Sequence, residues 1–465
     1  MDTGEKYNMR YVWSISLVAA MGGLLFGYDW VVIGGAKPFY EPFFGIVEKP
    51  ALQGWAMSSA LVGCLFGAVV SGALADRMGR KRLLILSGFL FTISAVGTAT
   101  AGNFTWFNFF RWIGGIGIGL ASNLSPMYIA EVSPAKMRGR FVSINQLTIV
   151  IGILAAQIIN MLIARDVPEE ATVEFILNSW NGQTGWRWMF GAETVPAAAF
   201  FLLMFFVPES PRWLTKYGRD KEALSILSRI GGQAHAESEL TEIKNTLAAE
   251  EIARVNFRDL LEPRLLKIVG LGVFLAVFQQ WCGINVIFNY AQEVFQAAGY
   301  GASDIMLNIV ITGIVNLLFT FVAIYTVDRL GRRVLMLIGA GGLAIIYAIL
   351  GAGYFKNSTG IYMLILVVSA IACYSMSLAP VTWVVISEIF PNRIRGTAMS
   401  IAVFSLWVGC TALTFTFPFL RRKLGAHGVF WLYGVICVVG FIVIRKYLPE
   451  TKGKSLEQIE RELVD

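Results

Sequence analysis

The chain has 465 residues, 56% of them hydrophobic and only 15% charged. A soluble protein carries charge on about a quarter of its residues, so this composition, with a mean hydropathy of +0.63, excludes a soluble globular protein and predicts a polytopic membrane protein. The net charge of +7 does not point to nucleic acid, because the basic residues cluster in short loops between apolar runs, as the positive-inside rule expects.

Apolar runs of spanning length fall near 11–36, 52–75, 83–101, 106–130, 141–164, 187–207, 265–295, 305–327, 334–354, 361–387, 397–420 and 428–447. Each is close to the ~20 residues a helix needs to cross a bilayer, which predicts an all-α membrane protein with about twelve transmembrane helices. The first run is too long for a signal-peptide core and lacks a clear cleavage site, so it is read as retained. The five cysteines lie inside these runs without metal-ligand spacing and read as packing residues, with no disulfide. His235 and His427 are far apart in loops, so no metal site is expected. No cofactor motif, phosphate loop or nucleophile–base set is visible, and no enzymatic activity is expected. The glycines at 114–119 lie in a predicted span without a preceding strand, so close helix packing is the better reading than a nucleotide loop.

The stretch 208–263 is too polar to span. Its segments 221–230 and 237–252 are amphipathic, and Gly231-Gly232 separates them. It reads as a cytoplasmic linker with short surface helices, or alternatively as a solvated disordered one. The expected organisation is therefore an N-terminal six-helix bundle (1–207), the linker (208–263), a C-terminal six-helix bundle (264–448) and a tail (449–465). Basic residues after the second (Arg77, Arg80, Lys81, Arg82), fourth (Lys136, Arg138, Arg140), eighth (Arg329, Arg332, Arg333) and tenth (Arg393, Arg395) runs place those loops and both termini in the cytoplasm. Arg421, Arg422 and Lys423 fall on the opposite side, against that rule.

The halves repeat. Asp76-Arg77-Met78-Gly79-Arg80-Lys81 returns as Asp328-Arg329-Leu330-Gly331-Arg332-Arg333, and Glu131 with Arg138-Gly139 returns as Glu388 with Arg395-Gly396, at offsets of 252 and 257 residues. Pro208-Glu209-Ser210 returns more weakly as Pro449-Glu450-Thr451. Duplicated halves with a site at their interface are the architecture of alternating-access transporters.

The seventh run holds four carboxamides: Gln279, Gln280, Asn285 and Asn289. Amides are expensive in lipid and must face protein or a water-filled cavity. At 100° per residue Gln279, Asn285 and Asn289 share about a third of the helix circumference, and Gly283 lets the helix bend or unwind there. Amides and sugar hydroxyls both donate and accept. The stretch therefore reads either as a site for an uncharged polyhydroxy solute or as helix–helix hydrogen bonding.

With these motifs, and Pro208-Glu209-Ser210-Pro211-Arg212, the chain resembles over nearly its whole length a sugar porter of the major facilitator superfamily, a family that includes bacterial proton symporters for xylose, arabinose and galactose and the animal glucose facilitators. The resemblance implies two pseudo-symmetric six-helix bundles about a central monosaccharide site. It implies sugar contacts at Gln146, Gln279, Gln280, Asn285, Asn316 and Trp383, with Phe26, Tyr374 and Trp407 lining the cavity, Asn289 beside it and Tyr290 at an outer gate. Gln157, about three helical turns from Gln146, is left open between ligand and packing residue. There are departures: Leu406 stands where the symporters have Gln and the facilitators Asn, Asn289 where many members have Tyr, and Ala379 where Gly is common. They leave the particular sugar open.

Asp29 in the first run and Arg111 in the fourth are charges costing roughly 2.5–3.5 kcal/mol each at mid-span, so they are expected to pair. The resemblance matches Asp29 and Glu193 to acids of the proton symporters, implying a proton as coupling ion. Facilitators have a neutral residue at Asp29. A structural ion pair in an uncoupled uniporter is the alternative, and a transporter-like sugar sensor a further one, which the short tail argues against. Asp76, Arg80, Lys81, Glu131, Arg138, Glu209, Asp328, Arg332, Arg333, Glu388, Arg395 and Glu450 read as a cytoplasmic gate whose charges, by the resemblance, bridge the halves when the inside is closed. The acid in the first run favours a bacterial inner membrane.

Overall fold

A computed structural model of the chain describes residues 7–168, 171–252, 262–391, 394–452, 454 and 458. The end of the linker at 253–261 and most of the tail lie outside the described residues, as do the side chains of Lys136, Asp328 and Arg395.

Five helices lead the chain: α1 (Met9–Phe44), α2 (Pro50–Met78), α3 (Arg80–Thr100), α4 (Phe104–Val132) and α5 (Arg138–Ile163). Short α6 (Val173–Asn178), α7 (Trp186–Gly191) and α8 (Thr194–Leu203) follow, then α9 (Pro211–Lys216) and α10 (Asp220–Ile252) in the linker. The rest is α11 (Pro263–Trp281), α12 (Ile284–Asn289), α13 (Ala291–Ala297), α14 (Ala302–Leu330), α15 (Arg332–Phe355), α16 (Ile361–Ser375), α17 (Leu378–Ile389) and α18 (Arg395–Tyr447).

Among the described residues nine helices are long and apolar enough to cross a membrane. The difference from twelve runs has local causes. α4 adds a 29-residue helix that carries Arg111. The sixth run is divided between α7 and α8, with Glu193 at the start of α8. The last two runs are two helices that meet without an intervening loop in α18, joined across a kink at Gly425, whose φ of 67 and ψ of 176 are non-helical. The tenth run breaks at Ser377, whose backbone is non-helical, three residues before Pro380. The proline has no amide hydrogen to give the preceding turn.

The chain forms two compact units. The first comprises Met1–Asp29, Val62–Gly152 and Gly191–Arg254, and the second Trp30–Leu61, Ile153–Phe190 and Val255–Asp465. In the first unit α3 packs on α4 and α8. α2 and α4 cross at backbone contact: a Cβ on Gly119 would collide with the Cys64 carbonyl. This is the close packing expected of the glycines at 114–119. The linker is folded as far as it is described. Trp213, Leu214, Ala223, Leu227, Ala236 and Leu240 form a small core of their own between α9 and α10, and Gly232 at φ 84 makes the break in α10. In the second unit α18 packs on α15 and α11, and α16 on α14 and α15.

The repeated loop motif has a local explanation. Gly79 and Gly331 have φ of 90 and 92, a left-handed conformation that glycine adopts without a Cβ penalty. Each opens a helix whose first amides lack intrahelical partners. Glu209 accepts from the backbone amides of Arg80 and Lys81 at 3.0 and 3.1 Å. Glu450 accepts from those of Arg332 and Arg333 at 2.9 and 3.1 Å. A carboxylate so placed also meets the positive end of the helix dipole. A Cβ on either glycine would run into the capping carboxylate, so the motif needs glycine twice over.

Candidate transport site

In the first unit, Arg111 of α4 meets Asp29 of α1 in a buried ion pair, with side-chain exposures of 3% each. The Arg111 guanidinium donates to Asp29 Oδ1 and reaches the Asp29 carbonyl at 3.4 Å. Asp29 Oδ2 has no hydrogen-bond partner among the described residues. It faces Gly114 of α4, where a Cβ would stand 3.5 Å from it. Glu193, equally buried, lies within electrostatic reach of both Asp29 and Arg111. The three charges expected to act together are thus brought into one buried cluster, with two acids to one base. Phe26 and Gln146 belong to the same unit, both half-buried.

In the second unit, α11 ends at Trp281 and Gly283 takes φ 88 before α12 begins. Tyr433 packs against the face where a Cβ on Gly283 would project. The break turns three amides into a chain. Gln279 donates to the Ala379 carbonyl at 3.3 Å, Gln280 donates to Gln279 Oε1 at 2.9 Å, and Asn285 donates to Gln280 Oε1. All three are buried, at 3%, 8% and 7% exposure. Asn316 of α14 accepts from Ser375 Oγ at 2.6 Å. Asn289 Oδ1 has no partner among the described residues. Leu406 is buried on α18 next to Trp407, whose ring meets Trp30 edge-on at 6.1 Å. Tyr374 is half-buried and Trp383 is 38% exposed. Tyr290 is fully buried, donates to the Thr414 carbonyl at 2.7 Å and packs on Phe417 at 4.3 Å. Gln157 lies against Gly313 of α14, with Oε1 unpartnered among the described residues, while Asn160 donates to the Val32 carbonyl at 3.0 Å.

The expected gate charges form two matching sets. Arg80 holds Glu131 through Nε and Nη2 at 3.0 and 2.9 Å, and Ser210 donates to the same carboxylate at 2.5 Å. Arg332 stands 3.3 Å from Glu388, which accepts from Thr451 at 2.6 Å. Asp76 pairs with Lys216 at 3.1 Å, Arg138 approaches Glu239 of α10 at 4.0 Å, and Lys81 and Arg333 donate to the Phe205 and Arg445 carbonyls. The first set lies within the first unit and the second within the second unit. Three charged residues missed by the sequence reading, Lys37, Glu41 and Glu293, meet Arg421 in the second unit. The available signal was a lysine and two acids inside or at the edge of apolar runs.

Long apolar helices, a repeated helix-capping loop, a buried acid–arginine pair and a buried amide chain at a helix break define a multi-pass membrane transporter of the major facilitator fold. The model of the family described as "Sugar (and other) transporter" matches residues 15–463, and the chain belongs to that family. It is 40% identical to the D-xylose-proton symporter of Escherichia coli strain K12, covering 98% of this chain and 96% of that protein. It is 38% identical to the arabinose-proton symporter of Bacillus subtilis strain 168, with 98% and 96% covered. Among solved structures, the inward open conformation of the xylose transporter of E. coli superposes with a TM-score of 0.84 at 38% identity, over 97% of this chain and 99% of that one.

Proposed function

We propose that the protein imports a monosaccharide together with a proton by alternating access, with the bundles 1–207 and 264–448 as the moving halves. The observation that carries the coupling is the buried Asp29–Arg111 pair with a free carboxylate oxygen. An arginine at contact favours the carboxylate, while separation in a dry site favours the neutral acid. A conformational change that alters the pair therefore loads and releases a proton. Glu193 beside it is a second acceptor on the same route. Gln146, Gln279, Gln280, Asn285 and Asn316 take the sugar hydroxyls, and Phe26, Tyr374, Trp383 and Trp407 the apolar sugar faces. The capped loops with Arg80, Glu131, Arg332 and Glu388 lie on the cytoplasmic face with both termini, in a bacterial inner membrane. The chain does no bond-making chemistry and takes lipid, sugar and proton as its partners.

A membrane potential contributes about 2.3 kcal/mol per charge per 100 mV, enough for a roughly fifty-fold sugar gradient, since about 1.4 kcal/mol is tenfold. The test is uptake of radiolabelled xylose, arabinose and glucose into proteoliposomes. Accumulation above the external concentration under an imposed proton gradient supports symport. Equilibration alone, gradient or not, replaces it with uniport.

A further inference from the structure

At the end of α1 remote from the N-terminus, four charges meet in the second unit. Lys37 is 3.2 Å from Glu41, one turn along the same helix, and also contacts Glu293 of α13. Arg421 of α18 stands 3.8 Å from Glu293. The cluster sums to zero, and the side chains of Lys37, Glu41 and Glu293 are 5–9% exposed. Gln53 of α2 donates to Glu41 at 3.0 Å, and the Lys37 ammonium lies 5.2 Å from the Tyr290 ring centre. The pair Lys37–Glu293 joins positions 256 residues apart, one in each sequence half.

We propose that Lys37 and Glu293 are positioning residues for transport: an ionic latch that closes the outer face, with Glu41 and Arg421 as stand-by counterions. The proposal rests on the alternating-access reading and its orientation. Breaking a buried ion pair is costly because it strands uncompensated charge. Here the halves part without stranding any. Lys37 keeps Glu41 on its own helix, and Glu293 keeps Arg421 from its own half. The closed state gains the cross-half contact, and the open state retains two neutral pairs that rehydrate. The arrangement holds the outer face shut yet leaves opening within reach. It also accounts for Arg421, which stood against the positive-inside rule; Arg422 and Lys423 have no such explanation.

Two substitutions on the same lysine's partners have opposite consequences. Glu293→Gln removes the cross-half attraction while Lys37 keeps Glu41, so the outward-open population rises. Glu41→Gln leaves the latch but strands Lys37 on opening, so that population falls. A ligand or contact acting on a two-state equilibrium shifts it only by its differential stabilisation, and shifts of about fivefold or more in each direction are expected. The measurement is electron–electron resonance between nitroxides at exposed Glu48 and Lys356, in nanodiscs, with sugar counterflow recorded on the same variants to establish folding. Opposite shifts support the latch. Shifts in the same direction, or none in either variant while counterflow persists, overturn it. A wild-type distance that neither sugar nor pH alters, with no counterflow, overturns alternating access and the latch with it.

Discussion

Glu209 accepts two hydrogen bonds from the first amides of α3, at Arg80 and Lys81, across 129 and 128 residues of sequence. Glu450 repeats the arrangement at α15. The loop motif is therefore a helix cap supplied from a distant part of the chain.

Removal of a capping side chain costs about 0.5–2 kcal/mol. Glu209→Ala and Glu450→Ala should each lower the apparent Tm of detergent-purified protein by several degrees. The double variant should be close to additive, since the two caps share no partner. Gly79→Ala should be worse than either, because it adds a left-handed alanine and a clash with the cap. A melting temperature unchanged in Glu209→Ala would show that the cap contributes nothing.

Recognition is tested at the amide chain. If the amide chain takes sugar hydroxyls, Gln280→Ala or Asn285→Ala should cost about 1–3 kcal/mol of binding, or roughly five- to 150-fold in affinity. Gln280 bridges Gln279 and Asn285, so its removal should also loosen its neighbours and give the larger effect. Calorimetry on purified, monodisperse protein decides; wild-type affinity in both variants rejects the site.

Selectivity is tested at Leu406, which is buried beside Trp407. Leu406→Gln adds an amide where the wild type has none. It should reorder pentose and hexose competitors in counterflow more than it changes the amount of folded protein. An unaltered ranking would remove this position from the selectivity set.

Legibility in the sequence followed the size of the energetic signal. Asp29 and Arg111 are charges at mid-span, too expensive to leave apart, and they are paired. Gly283 among four amides announced a break, and its φ of 88 makes one. The breaks at Ser377 and near Glu193 were hidden because apolar composition continues through them, and hydropathy carries no information about backbone angles. Lys37 was missed for a different reason. Near the end of a run, a lysine reads as snorkelling to the interface, and nothing local points to an acid 256 residues away. The repeated loop was visible as a repeat, but its capping role needed the carboxylates of Glu209 and Glu450 in place.

Coupling is tested at Asp29. Asp29→Asn keeps the shape of the side chain and removes the titrating group. If this carboxylate carries the proton, uphill uptake driven by an imposed pH gradient should disappear. Counterflow needs alternation but no net proton movement, so it should survive in part, since the amide imitates the protonated acid. Loss of the Asp29 charge leaves Arg111 facing a neutral group in a buried site, at an electrostatic cost that can favour one conformation. Glu193 is buried in the same cluster, so Glu193→Gln combined with Asp29→Asn should impair counterflow more than either substitution alone. Both assays belong on one reconstituted preparation. Gradient-driven accumulation equal to wild type in Asp29→Asn would remove Asp29 from the proton route. Loss of accumulation and counterflow together, in folded protein, would leave it the role of a structural ion pair.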